Sequence, residues 1–420
     1  MASVSSLRCL FVSLCLCLLQ VGISAWIIPH GSSEALSGFL AGAFDVSGGS
    51  RLVRREVSTT TTTDDVTPSK VEAATTTTSS TYVFNATAKD ITIAYYGQTN
   101  MTSHVTLTQL CAGLSVDIIT LGFLNSFYSG NKMNVTMDFN GYLCNNPNTT
   151  QTGAGMSGLL DCVGDGLAAE IAACQALGKK VLISAGGASA DLAIPSEADA
   201  TTLATTLWNL FLGGTGYKGK GVRPFGSVVL DGFDIDNENS TNAAHLFTLV
   251  STLRNLTKKD TTKKYYFSAA PICAYPDPDI PVSTMLNQID YWNVQFYNAQ
   301  ACQLGSGHAP AALKNWSTAL LGARKVASNG AVPQGLFNVN GNNVTYPRLL
   351  VGGRTFFSGA NAGYVNMSTY QGILESMKKL NLPNFSGAMF WDGAYMYKEK
   401  AIIDGKNKTY AQVAKGALID

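Results

Sequence analysis

From Ile91 onward, short apolar runs alternate with longer stretches in which apolar residues recur every three or four positions. The short runs predict strands over 91–96, 118–123, 180–185, 228–236, 265–270, 291–297, 348–351 and 387–391. The longer stretches predict helices over 159–177, 202–211, 243–256 and 369–380. Strands separated by helices make a parallel sheet. Eight such units in about 330 residues suit a (β/α)8 TIM barrel with insertions, an α/β fold, and leave an open doubly wound sheet as the alternative.

A barrel carries its active site at the C-terminal ends of its strands. The unusual polar residues fall there: Tyr95, Tyr96 and Gln98 after the first run, Ser184 with Gly186 and Gly187 after the third, and Asp234, Asp236 and Glu238 after the fourth. Gln295, Tyr297 and Asn298 end the sixth, and Trp391 with Asp392 ends the eighth. Any one of them alone reads as core or turn, and Gly186-Gly187 alone reads as a tight strand-to-loop turn. Together they mark one face.

The fourth run carries the densest chemistry. Asp231-Gly232-Phe233-Asp234-Ile235-Asp236-Asn237-Glu238 follows Val228-Val229-Leu230, and alternation along a strand points Asp234, Asp236 and Glu238 the same way. Three converging carboxyls repel one another unless a proton is retained, which raises a pKa, and a carboxyl that holds its proton near neutral pH is a general acid. The competing reading is a calcium-type acidic loop or a solvated strand end. Phe233 and Ile235 on the alternate face favour burial instead. Asp231 has the opposite parity and suits bracing backbone amides.

The N-terminal residues set the context. Residues 1–25 combine Arg8, an apolar core from Leu10 to Leu19 and small residues at Ser24-Ala25, a signal peptide; a signal anchor is the alternative. Residues 26–88 change composition, with threonine runs at 59–63 and 75–78, and predict a disordered Ser/Thr-rich stalk before a catalytic domain over 89–420. Within it, Arg51-Leu52-Val53-Arg54-Arg55 is either a processing site that makes 26–55 a propeptide or an incidental basic patch. No second long apolar segment follows, so no membrane span is expected.

Of nine cysteines, Cys9, Cys15 and Cys17 leave with the signal, and Cys111, Cys144, Cys162, Cys174, Cys273 and Cys302 remain. An even set in an oxidising compartment implies three disulfides, with fifteen connectivities open. No Cys-x-x-Cys occurs, which argues against zinc, and neither a metal nor a cofactor is expected. Sequons at Asn85, Asn100, Asn134, Asn148, Asn239, Asn255, Asn315, Asn343, Asn366, Asn384 and Asn407 fit a glycosylated, secreted, extracellular protein. A net charge of +1 with 14% charged residues excludes a basic stripe for nucleic acid and suits a neutral polymer.

These motifs resemble glycoside hydrolase family 18: its DGxDxDxE signature is matched by Asp231 to Glu238, and its SxGG strand by Lys180 to Gly187. Within the family the chain is similar to class III, hevamine-type chitinases through YYGQ (Tyr95 to Gln98), AAPICAYPD (Ala269 to Asp277) and VQFYN (Val294 to Asn298). The resemblance spans about residues 90–420.

It implies a secreted endo-acting chitinase, monomeric, cleaving β-1,4-N-acetylglucosamine polymer with retention and without a protein nucleophile. Glu238 would be the acid, Asp236 would orient the substrate acetamido group, and Asp234 would share a proton with Asp236. Tyr297 would bond the acetamido oxygen. Tyr95, Gln98, Gln295, Asn298, Gly186 and Gly187 would bind or line the same subsite, with Trp391 as its apolar floor, and Tyr96, Tyr275 and Tyr395 are further aromatic candidates. It also implies the pairs Cys111–Cys174, Cys144–Cys162 and Cys273–Cys302. Departures from the family are Asn237 and Tyr96, and the Asn239 sequon abuts the acid, so its glycan is expected to be absent or directed away. Alternatives are an endo-β-N-acetylglucosaminidase acting on N-glycans, added lysozyme-like activity on peptidoglycan, and a non-catalytic chitin-binding lectin or enzyme inhibitor.

Overall fold

The computed structural model describes residues 82–139, 143–164, 166–322, 347–357 and 363–419. The signal peptide, the threonine runs, the possible processing site and the Asn343 sequon lie outside the described residues. Parallel strands run in the order β1 (Ile91–Tyr96), β2 (Ile118–Ser129), β4 (Lys180–Gly186), β5 (Gly232–Asp236), β6 (Tyr266–Ala269), β7 (Tyr291–Gln295), β8 (Arg348–Arg354) and β9 (Phe385–Trp391). β9 pairs with β1 and β1 with β2, so the eight close into a barrel.

Alternation along each strand sorts the core into two layers. Ile93, Ile118, Leu182, Tyr291, Leu350 and Met389 fill the barrel interior. Their neighbours in sequence, among them Ile119, Val181, Ile183, Trp292 and Leu349, face the surrounding helices. Those helices include Leu167–Ala176, Glu197–Phe211, Leu246–Thr257, Ala309–Gly322 and Met367–Lys378. The helix Glu197–Phe211 begins before the expected position 202 because Ser196 caps it, its hydroxyl accepting from the Asp199 amide. The helix Leu167–Ala176 starts later than 159, since Gly166 at φ 89° opens it and residues 159–164 are held in a loop by the Asn145–Asp161 bridge.

Two further differences have local causes. The run 228–230 is not strand: the Val228 carbonyl accepts from Arg223 Nη2 at 2.8 Å and the Val229 carbonyl from Gln175 Nε2 at 2.8 Å, so side chains take the bonds a ladder would use. β2 runs past the barrel rim into a hairpin with β3 (Lys132–Met137), through a turn at Gly130-Asn131 with φ 59° at the glycine. Residues 82–88, expected in the stalk, instead close the barrel bottom. Phe84 packs edge-on to Tyr266 at 5.2 Å, the Tyr82 hydroxyl donates to Asp117 at 2.7 Å, and Arg348 Nη2 donates to the Thr87 carbonyl at 2.7 Å.

Disulfides join Cys111–Cys174, Cys144–Cys162 and Cys273–Cys302, the pairs that the resemblance implies. The third ties the loops after β6 and β7 together at the rim. Among the described residues no helix is long and apolar enough to cross a membrane. The Asn384 sequon is no surface feature: its side chain is fully buried and accepts from Ser317 Oγ at 2.7 Å.

Candidate active site

A cavity of about 190 Å3 opens at the C-terminal rim of the barrel, and Asp236, Glu238, Gln295, Tyr297, Asn298 and Trp391 line it. Gly186 and Gly187 form part of its wall for a steric reason. Gly186 sits at φ 136° with room for no more than a hydrogen: a Cβ would fall 1.9 Å from the Asp236 carbonyl oxygen. The Gly187 amide then donates to that same carbonyl at 2.9 Å, which fixes the backbone of the second acid.

The acids of β5 differ in depth. Asp234 is fully buried and accepts hydroxyl bonds from Tyr95 at 2.8 Å, Ser184 at 2.7 Å and Ser268. Burial pushes its carboxyl up, and the three hydroxyls oppose that. Asp236 is 5% exposed and accepts from Gln295 Nε2 at 2.8 Å. Its carboxyl is raised well above the carboxylate range, first by burial and then by the charges of Glu238, Asp234 and Asp277. Glu238 alone reaches solvent, yet the cleft walls withdraw it from bulk water. That desolvation raises it, with Asp279 and Asp277 adding to the effect and the Gln295 amide opposing it.

No direct Asp234–Asp236 hydrogen bond accompanies this ladder. Asp234 instead accepts from its three hydroxyls and Asp236 from Gln295, and the strongest charge acting on Asp236 is that of Glu238, followed by Asp234. Asp231 turns outward: Val181 N donates to it at 2.9 Å, Gln175 Nε2 at 2.7 Å, and Lys263 Nζ stands 3.2 Å away. Asn237 likewise leaves the cavity and donates to the Asp279 and Asn239 carbonyls at 2.6 and 2.9 Å.

The aromatic candidates divide. Trp391 lies on the cavity floor against Phe123, their rings nearly parallel with centroids 5.8 Å apart. Tyr297 is 6% exposed and keeps its phenolic proton, because burial and then the charges of Asp236 and Glu238 push its pKa far up. Tyr95 does not line the cavity; it stands beneath it with its hydroxyl on Asp234. Tyr96 points the other way, into the helix layer, and donates to the Val105 carbonyl at 2.8 Å. Tyr275 packs edge-on to Trp316 and Tyr395 stacks on Phe356 at 4.5 Å, both outside the lining.

Sequence reasoning missed Phe123, Asn125, Asp138, Ala188 and Ser189, which also line the cavity. Phe123 ends a predicted strand, and Gly130-Asn131 between two part-apolar runs is a hairpin signal that would have brought Asn125 and Asp138 to the rim. Gln98 lines the cavity too, with its amide donated to the Asp138 carbonyl. Among the described residues no group of three or more His, Cys, Asp or Glu side chains could hold a metal ion. The arrangement offers one solvent-reaching proton donor, a buried carboxyl beside it, a phenol donor and a flat apolar floor.

The sequence profile of "Glycosyl hydrolases family 18" matches residues 91–337. Endochitinase 3 of Metarhizium anisopliae is 36% identical over 303 residues, 71% of this chain and 90% of that protein. The endochitinase of Saccharomyces cerevisiae is 31% identical over 340 residues, 80% of this chain and 52% of that protein. Among solved structures, the ICChI chitinase of Ipomoea carnea superposes with a TM-score of 0.56 at 25% identity over 78% of this chain and 99% of that one. The xylanase and α-amylase inhibitor XAIP-III shares the fold with a TM-score of 0.57 at 23% identity, over 78% of this chain and 99% of that one. With the acid ladder on β5 inside that match and a relative aligned across nine-tenths of its length, the chain belongs to family 18 of the glycosyl hydrolases.

Proposed function

We propose that this protein is a secreted, monomeric endo-acting chitinase of class III type, cleaving β-1,4-linked N-acetylglucosamine polymer with retention through a nucleophile that the substrate supplies. The observation that carries the reading is the state of Asp236. A nucleophilic carboxylate must be free to approach the anomeric carbon, whereas Asp236 is buried and one of its oxygens is held by the Gln295 amide at 2.8 Å. It suits hydrogen bonding to a substrate N–H instead.

Glu238 donates its proton to the glycosidic oxygen as that bond breaks. The carbonyl oxygen of the 2-acetamido group attacks the anomeric carbon and closes an oxazolinium ring. Asp236 accepts from the acetamido N–H and balances the ring's charge, and the Tyr297 hydroxyl donates to the acetamido oxygen and aligns it. The Glu238 carboxylate then takes a proton from water as that water opens the ring from the departed side. Two displacements at one carbon give retention. Trp391 and Phe123 carry the apolar face of the sugar.

Related barrels include inhibitors and a chitinase-like lectin, so the barrel by itself does not select an activity. The complete set of Asp234, Asp236, Glu238 and Tyr297 favours catalysis. The test compares wild type with Glu238→Gln on chitin oligosaccharides and on a high-mannose glycoprotein. Loss of a general acid lowers the rate on chitin by about 10² to 10⁴. Equal turnover by the variant removes Glu238 from its role, and glycan release without chitin cleavage by wild type points to an endo-β-N-acetylglucosaminidase.

A further inference from the structure

The mechanism above uses two of the three carboxylates that line the cavity; the third, Asp138, has no part in it. Asp138 directly follows β3, and its position is fixed by backbone rather than by chance of rotamer. The Phe123 amide donates to the Asp138 carbonyl and the Asp138 amide to the Phe123 carbonyl, both at 2.9 Å, and Gln98 Nε2 donates to the same Asp138 carbonyl. Asp138 is thereby locked beside the ring that stacks on Trp391. Its side chain is exposed, and Asn125 Nδ2 lies 3.5 Å from one carboxylate oxygen.

Among the described residues lining the cavity there is no Lys, Arg or His. Arg354 stands behind the wall, donating to Asn298 Oδ1 at 3.1 Å. A carboxylate thus faces a sugar-sized cleft, and no Lys, Arg or His among the described lining residues pairs it. For neutral hydroxyls an amide would serve as well and is less costly to desolvate. A carboxylate gains most from a ligand that brings a positive charge.

The polymer in question offers one: wherever an N-acetyl group has been removed, chitin carries a glucosaminyl ammonium. The reacting unit cannot be that one, because its acetamido carbonyl is the nucleophile. In the strand order β4, which ends at Gly186, lies between β5 and the β2–β3 hairpin, so Asp138 sits across β4 from Glu238 and is left to a neighbouring unit. We propose that Asp138 makes this cleft selective for partially deacetylated chitin, pairing with the ammonium of a glucosaminyl unit adjacent to the reacting N-acetylglucosaminyl unit. This rests on the chitinase reading and specifies its substrate class.

The experiment compares wild type and Asp138→Asn on fully acetylated chitohexaose and on partially deacetylated chitosan at mildly acidic pH. The ratio of kcat/KM on chitosan to that on chitohexaose falls about fivefold in the variant at low salt, as for a partly exposed ion pair. In wild type that ratio drops toward the variant's at about 1 M salt, where the screening length is ~3 Å. Mass-spectrometric sequencing of wild-type products finds glucosamine enriched at one fixed distance from the new reducing end, and Asp138→Asn flattens that enrichment. An unchanged ratio with random placement of glucosamine overturns the role of Asp138 while leaving the chitinase intact. Failure of wild type to cleave either polymer overturns the chitinase reading itself.

Discussion

Replacing Ser184 with alanine removes one of the three hydroxyls that hold the Asp234 carboxyl, at 2.7 Å in a fully buried site. The cost depends on the charge of the acceptor. A hydrogen bond to a neutral carboxyl contributes about 1 kcal/mol net, and one to a carboxylate about 1.5–3 kcal/mol. Burial raises Asp234 above the ordinary 3.8, so its contribution to stability is complete below that value and is lost as pH rises through the folded pKa. Ser184→Ala raises the folded pKa further, because the hydroxyl it removes lowers it. The stability gap between wild type and variant therefore widens as pH rises, from about 1 kcal/mol while Asp234 is protonated to about 1.5–3 kcal/mol once it ionises. Urea denaturation of both proteins across that pH range measures the gap. A constant gap, or one that narrows as pH rises, refutes the view that these hydroxyls compensate a buried charge on β5.

Asp231→Ala leaves the buried Val181 amide without its acceptor and separates Lys263 from its partner, so it destabilises the fold by about 2–3 kcal/mol with kcat on chitin oligosaccharides retained; loss of kcat in a protein of unchanged stability contradicts a bracing role. Expressed through a secretory pathway, the folded protein carries no glycan at Asn384, whose side chain is buried and bonded to Ser317; peptide mapping that finds this sequon occupied in active protein contradicts the packing of β9.

How much could be read beforehand follows the range of the forces involved. Strand β1 falls at 91–96 as its alternation indicates, and β5 brings Asp234, Asp236 and Glu238 to one side, because alternation along a strand is a local property. The extent of β5 was not local: Arg223, Gln175 and Lys263 take the carbonyls of Val228 and Val229 from elsewhere in the chain. Likewise Tyr95 and Tyr96 are adjacent and both aromatic, and only closure of the barrel decides that one reaches Asp234 while the other enters the helix layer. Phe123 and Asp138 meet through a hairpin pairing, so their joint place beside Trp391 was hidden in a stretch without strong apolar alternation. Residues 82–88 look like the polar stalk before them, and their role appears only where Phe84 packs on Tyr266 and Arg348 bonds the Thr87 carbonyl beneath the barrel.

The central claim is that the substrate's own acetamido group, held by Asp236 and Tyr297, performs the first displacement. Proton NMR of chitohexaose hydrolysis in the first minutes, before mutarotation, tests it together with the same assay on a fully deacetylated hexamer. The account requires the β-anomer as the initial product and no measurable cleavage of the deacetylated chain. Initial α-anomer, or hydrolysis of the deacetylated hexamer at a comparable rate, contradicts it.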